Sequence, residues 1–322
     1  MNGAEHGTTG HRPVLLDKII AVLAPRDGGV YVDGTFGAGG YSRALLEAAR
    51  CTVWGIDRDP WSVARAATLV KEFAGRFTVV AGRFGEMDRL LAARGVRLVD
   101  GIALDLGISA MQIEDPERGF SFLRDGPLDM RMEGSGPSAA DVVNATDERE
   151  LAALISTLGE ERRARRVARA IAAARRTRPI TRTGELAAIV RRVVRSAADG
   201  IDPATRTFQA LRIYVNDELG ELDRGLRAAE RLLAAAGRLA VVSFHSLEDR
   251  RVKRFLAARS GHLPRPSRHA PAAPEGPAPT FRLIARRAIT PGADEVAANR
   301  RARSARLRTA ERTSAPVWEE AA

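Results

Sequence analysis

The chain has one cysteine, Cys51, in 322 residues. A single thiol excludes an intrachain disulfide and any multi-cysteine zinc site. Its setting, CTVWGID, reads as a buried strand, so Cys51 is read as a small core residue and not as a nucleophile. The histidines, at 6, 11, 245, 262 and 269, show no metal-ligand spacing, and no metal is expected. Lysine occurs only at Lys18, Lys71 and Lys253, so arginine supplies nearly all of the 51 cations. No apolar run reaches the roughly 18 residues a spanning helix needs. The opening MNGAEHGTTGHRP lacks an apolar signal core. A soluble cytoplasmic protein with no membrane partner is the expectation.

What the chain does have is a 45% hydrophobic fraction, enough for a real core, and a net charge of +11. Its length suits one large α/β domain plus a smaller module, since domains commonly run about 100–200 residues.

The first hundred residues alternate between two periods. VYVDGTF (30–36), CTVWGID (51–57), FTVVAG (77–82) and VDGIALDLG (99–107) read as strands, with helical patterns between them. Continuous apolar strands alternating with helices predict a parallel sheet covered on both faces. Residues 108–137 show no period, and 138–233 read as almost wholly helical. RLAVVSFHS (238–246) returns as a strand, followed by a helical LEDRRVKRFLAAR. Six prolines between 264 and 279 mark a loop. FRLIARRAI (281–289) and SARLRTAER (304–312) read as two final strands.

The strongest local chemical signal is DGTFGAGGYSR (33–43), which follows a strand and opens a helix. Its glycines permit positive φ, and amides at a helix start bind anions. GAGGYS lacks the third glycine of a dinucleotide fingerprint, which disfavours a nicotinamide oxidoreductase. Asp57 ends the second strand, where a carboxylate can accept ribose hydroxyls. Asp59, just before Pro60, is the better helix cap, which leaves Asp57 for a ligand. Phe84 fits a place beside an adenine or in the core, and the sequence leaves both open. Asp105 ends the fourth strand, at the carboxyl edge where open α/β sheets bind ligands. Acidic strand ends beside a glycine loop suit a nucleoside cofactor carrying positive charge, such as S-adenosylmethionine.

Residues 160–182 hold nine arginines and two glutamates. Val167, Ala170, Ile171 and Ala174 share a helical face opposite the cationic one, which points to a nucleic-acid backbone as partner, with Arg165 and Arg169 as contacts. Arg206, Gln209, Arg212 and Asn216 form a second polar stripe, opposite Phe208, Leu211 and Val215.

Several segments together resemble one family, the bacterial 16S ribosomal RNA cytosine-N4 methyltransferases. They are HRPVLLD (11–17), YVDGTFGAGGYSR (31–43), IDRDP (56–60), LDLGIS (104–109) with Gln112, ERGFSFLRDGPLDMRM (117–132), PATRTFQALRIYVNDEL (203–219), SFHSLEDRRVKRF (243–255) and RRARSARLRTAER (300–312). The resemblance runs colinearly over roughly residues 10–313. It implies an α/β fold: a Rossmann-like S-adenosylmethionine-dependent methyltransferase sheet in two parts, 1–112 and 221–322, around an inserted helical RNA-recognition domain, 113–220. It implies S-adenosylmethionine contacts at Gly39, Gly40, Tyr41, Asp57, Phe84, Asp105 and Gln112. RNA contacts are expected at Arg165, Arg169, Arg206, Arg212 and Asn216. The implied substrate is a cytosine in the decoding centre of 16S rRNA within the small ribosomal subunit. Monomer and homodimer both remain open. Two departures stand out: the family's glycine loop usually reads GRGGH where this chain has GAGGY (37–41), and its VSSPQ is ISAMQ here (108–112), with Met111 replacing a proline.

Methylating an exocyclic amine needs a group that takes an amine hydrogen and a site that holds the nitrogen in line with the methyl carbon. Asp105, the backbone carbonyls of Leu106–Ile108, Ser109 and His245 are the candidates. The alternative is a non-catalytic RNA-binding protein with a vestigial site; it is disfavoured by the intact Asp57, Asp105 and Gln112.

Overall fold

The computed structural model describes residues 13–195, 200–262 and 277–318. The chain forms two compact units, one of Met1–Asp57, Trp61–Leu106 and Gly225–Ala322, the other of Arg58–Pro60 and Gly107–Arg224. The proline-rich stretch, apart from 277–279, lies outside the described residues.

In the first unit β1 (Val30–Asp33), β2 (Thr52–Asp57), β3 (Phe77–Ala81), β4 (Val99–Asp105), β5 (Leu233–Ser243), β6 (Phe281–Leu283) and β7 (Arg306–Arg312) build a seven-stranded sheet of order β3-β2-β1-β4-β5-β7-β6. The first five strands run parallel, and β7 lies antiparallel to both β5 and β6. The strand order reverses between β1 and β4, which opens a crevice at their carboxyl ends. α1 (Leu16–Leu23) precedes β1, and α2 (Gly40–Ala48), α3 (Pro60–Arg65), α4 (Ala67–Glu72) and α5 (Met87–Ala92) occur between the early strands. Ile19, Leu23, Leu45 and Leu46 from α1 and α2 pack with Tyr31, Val53, Ala240 and Leu307 of the sheet.

Two strand expectations change. β5 begins at Leu233, inside a run that reads as helix, because Ala236 takes φ 65 and the register with β4 shifts between Val99 and Gly101. The extra residues form a bulge that no local propensity announces. The strand expected over 281–289 is regular only to Leu283, and Ile289 rejoins the sheet through a single bridge to Leu307.

The second unit is helical: α6 (Ala110–Glu114), α7 (Ala139–Ala145), α8 (Glu148–Gly159), α9 (Ala164–Arg175), α10 (Thr183–Val193) and α11 (Thr205–Val215). α12 (Glu218–Leu232) carries the chain back towards β5; α13 (Ser246–Arg259) and α14 (Ala293–Ala298) belong to the first unit. Val143, Ile155, Val167, Ile171, Leu186, Val190, Phe208 and Leu211 form the core of the helical unit. On α9 the buried stripe is Ala164, Val167, Ala168, Ile171 and Ala172, while Ala170 and Ala174, expected there, are half-buried.

Residues 119–138, which lack regular structure, are held by polar side chains. Asn216 Nδ2 donates to the Met130 carbonyl (2.7 Å) and its Oδ1 accepts from the Met132 amide (2.9 Å). Arg118 donates to the carbonyls of Arg131 and Met132 and, at 2.9 Å, to buried Asp59. Arg58 bonds Glu133, the Asn216 carbonyl and Glu221. Asp59, which stands just before α3 as expected of a helix cap, is also a buried acceptor within this unit, which explains why Arg58–Pro60 cluster with it. Asn216→Ala would strand the Met130 carbonyl and the Met132 amide, so unfolding free energy is expected to fall by about 2–4 kcal/mol in urea denaturation.

Candidate functional site

Three neighbouring parallel strands of the first unit end in carboxylates: Asp33 on β1, Asp57 on β2 and Asp105 on β4. Asp33 is 1% exposed. Its Oδ2 accepts from the Ser42 amide (3.1 Å) and hydroxyl (2.8 Å), and its Oδ1 from the Thr35 amide (3.4 Å). Burial raises this carboxyl to about 6; the Ser42 and Thr35 bonds oppose the rise and the charge of Asp57 adds to it. Asp57 Oδ2 accepts from the Gly37 amide at 2.7 Å, and the Asp105 amide donates to Thr35 Oγ1 at 2.6 Å. The glycine turn is thus tied to all three strand ends.

The turn closes with Gly39 at φ 79, a left-handed conformation that favours glycine. At Gly40, the first residue of α2, a β-carbon would fall 2.1 Å from the Pro13 ring. Tyr41 is buried and its hydroxyl donates to the Val14 carbonyl. Its side chain therefore faces the protein, and its backbone lies in the first turn of α2, where amides lack intrahelical partners. Phe84 starts a 3-10 turn after β3, half-buried, with its ring against Gly225 of α12.

Asp105 Oδ1 is buried without a hydrogen-bond partner. Burial, then the charges of Asp33 and Glu248, push this carboxyl up to about 8, against an opposing contribution from Tyr41. His245 precedes α13, and its Nε2 lies 3.1 Å from Glu248 Oε1. Glu248 Oε2 accepts from the amides of Phe244 (2.8 Å) and His245 (3.3 Å), which fixes the end of β5.

In the second unit Ser109 caps α6. Its hydroxyl oxygen accepts from the Gln112 amide (3.2 Å), and Gln112 Oε1 accepts from the Ser109 amide (3.0 Å). Gln112 Nε2 donates to Asp59 at 2.8 Å. Gln112, expected beside the methyl donor, thus has both ends of its amide engaged within its own unit. Of the five residues expected to meet RNA, Arg165, Arg169 and Arg206 are exposed. Arg169 stands 3.8 Å from exposed Glu148, a pairing worth little in water. The other two lie deeper: Arg212, half-buried, forms a two-pronged pair with Glu218 at 2.8 and 2.9 Å, and Asn216 is buried with its amide bonded to backbone. Their polarity serves the fold of the unit.

Sequence reading passed over Asp33, Glu248 and the Asp59–Arg118 pair. Glu248 carried a legible signal, an acid at the third position of a helix, as in a capping box. Asp33 carried only its place at a strand end.

The carboxyls of Asp33 and Asp105 bind protons more tightly in the folded chain than at their ordinary value of 3.8. The folded state therefore holds extra protons above about pH 4, and stability falls as pH rises towards 8. Asp105→Asn cannot ionise. Its melting temperature, followed by calorimetry on the unliganded protein between about pH 5 and 9, is expected to fall less steeply than that of the parent chain. Parallel slopes would return Asp105 to an ordinary acidity.

Residues 8–313 match the MraW methylase family. The "Ribosomal RNA small subunit methyltransferase H" of Paramagnetospirillum magneticum is 66% identical over 310 residues, covering 96% of this chain and 98% of that protein. The protein of the same name from Rhodospirillum centenum is 66% identical over 315 residues, covering 98% and 96%. With nearly the whole chain matched by the family and by these relatives, this chain belongs to the MraW methylase family.

Proposed function

We propose that the chain transfers a methyl group from S-adenosylmethionine to the N4 amine of a cytosine in the decoding centre of 16S rRNA. The observation that carries this is the row of carboxylates at the ends of β1, β2 and β4 around a glycine turn. Such an edge suits a ligand with ribose hydroxyls and positive charge, and the unpartnered Asp105 Oδ1 is an acceptor that such a ligand would satisfy. Asp57 would hold the ribose, Phe84 would flank the adenine, and the backbone of Gly39, Gly40 and Tyr41 would bind the carboxylate end. The bound cofactor supplies an electrophilic methyl carbon on a sulfonium.

The protein's own part is to orient the amine and remove a proton. The amine's lone pair is delocalised into the cytosine ring, so a group that accepts one of its hydrogens frees the nitrogen for attack. Asp105 and His245 are candidates on the sheet edge; Ser109, four residues further along the chain than Asp105, is a third. Opposite a cation, Asp105 ionises more readily and becomes a better acceptor. No enzyme nucleophile is required, and Cys51 is buried away from that role. The helical unit holds RNA through its solvent-facing arginines, which engage phosphates and position the strand.

Incubation with methyl-labelled S-adenosylmethionine and small ribosomal subunits lacking the modification, followed by nucleoside mass spectrometry, is expected to place label in N4-methylcytidine. Label in another nucleoside, or none, would overturn the assignment. Asp57→Ala is expected to weaken binding of S-adenosylhomocysteine at least about tenfold, or ~1.4 kcal/mol, by calorimetry. Charge reversal at Arg165 and Arg169 together is expected to raise KM for subunits and flatten its salt dependence, with cofactor affinity unchanged. An unaltered KM would remove α9 from the RNA path.

A further inference from the structure

The proposed chemistry leaves one early segment unused: Pro13–Leu15, from the HRPVLLD motif. Val14 and Leu15 are 6% and 2% exposed. Leu15 stands at φ 57, a left-handed conformation that a side chain with a β-carbon adopts only when its surroundings hold it there. Its amide precedes α1 and donates to Glu295 Oε1 of α14 at 2.6 Å, across 280 residues of chain. A bond from an amide to a carboxylate is among the stronger protein hydrogen bonds.

The other side of this short strap rests on the start of α2. The Pro13 ring occupies the space that a β-carbon at Gly40 would need, and the Val14 carbonyl accepts from the Tyr41 hydroxyl. Both partners belong to the first unit, as does α14. The strap is therefore gripped from two sides, by one carboxylate and by the two residues whose backbone opens α2.

We propose that Glu295 is a positioning residue for the methyl donor: by fixing the Leu15 amide it presses Pro13 and Val14 onto Gly40 and Tyr41 and so holds the first amides of α2 in place for the ligand. The inference rests on the assignment of Gly39, Gly40 and Tyr41 to donor binding. Without Glu295 the Leu15 amide loses its acceptor, and its left-handed backbone loses one of the contacts that hold it. The strap then relaxes, and α2 loses the surface against which its first turn is set.

The test uses the full chain with S-adenosylhomocysteine as probe, the parent protein being titrated first. Glu295→Ala is expected to raise the dissociation constant about tenfold and KM for the donor in step, with kcat at saturating donor within about threefold. Glu295→Gln keeps an oxygen in the same place and is expected to bind within about threefold of the parent. Hydrogen exchange at the Leu15 amide should quicken in the alanine variant and not in the glutamine one. Parent-like affinity in Glu295→Ala despite faster Leu15 exchange would overturn the proposal and leave the bond a purely structural one. Equal weakening in both variants would also overturn it, since charge and not the latch would then be responsible. If the alanine variant does not fold, Glu295→Asp, one methylene too short to reach, is expected to show the same loss. A parent chain that fails to bind the probe would overturn the donor assignment itself, a result distinct from either variant's.

Discussion

The carboxyl edge of the sheet in the first unit depends on one buried carboxylate. Asp33 is removed from water, yet it accepts from both groups of Ser42 and from the Thr35 amide. Those bonds join the end of β1 to the first turn of α2 and to Thr35, whose hydroxyl in turn takes the Asp105 amide. Apolar packing alone would bring β1 and α2 together without setting the turn between them. The carboxylate sets it, at the cost of burying a group that holds its proton up to about pH 6. The arrangement fits an edge built to meet positive charge: acids crowded together in the free protein are relieved when a cation arrives.

The helical unit answers to a different constraint. Its residues 119–138 have no ladder of their own, so side chains must satisfy the backbone groups that scattered backbone bonds leave over. Asn216, Arg118 and Arg58 do so from three separate parts of the chain. Arg175 similarly donates to the Val143 carbonyl, and in the first unit Arg312 reaches the Glu230 and Thr280 carbonyls. These four arginines are thus internal scaffolding, their planar heads suited to several carbonyls at once. Arg165, Arg169 and Arg206 are exposed, whereas Arg212 is half-buried in its pair with Glu218.

What could be read from the sequence follows the range of the interactions concerned. The parallel strands were legible because their apolar residues are contiguous, and Asp57 and Asp105 because each closes such a run. The glycine turn was legible because backbone geometry demands glycine at Gly39. The first half of β5 was hidden, since an alanine run favours helix and only the pairing of Leu233 with Val99 makes it a strand. The Gln112–Asp59 and Arg118–Asp59 bonds were hidden because partners more than fifty residues apart leave no period. The burial of Asn216 was hidden for the same reason: a helix wheel places it on a polar stripe, and only the distant loop it bonds covers that end of the stripe. Val167 and Ile171 of α9 were read correctly because a helix announces its buried face within a few turns.

The strand order also governs how such a chain must assemble. β7 lies between β5 and β6, although β6 is made first. β6 therefore has no place in the sheet until residues 306–312 arrive, and the flank of β5 formed by Arg238–Ser243 stays bare in the meantime. That flank includes Leu239, Ala240, Val241 and Val242, all fully buried in the finished protein. An unpaired edge of this kind invites pairing with another chain. A nascent or truncated polypeptide that stops short of β7 is thus a candidate for chaperone capture or aggregation, and quality control of this enzyme turns on the seating of its last-made strand, one place in from the sheet's edge.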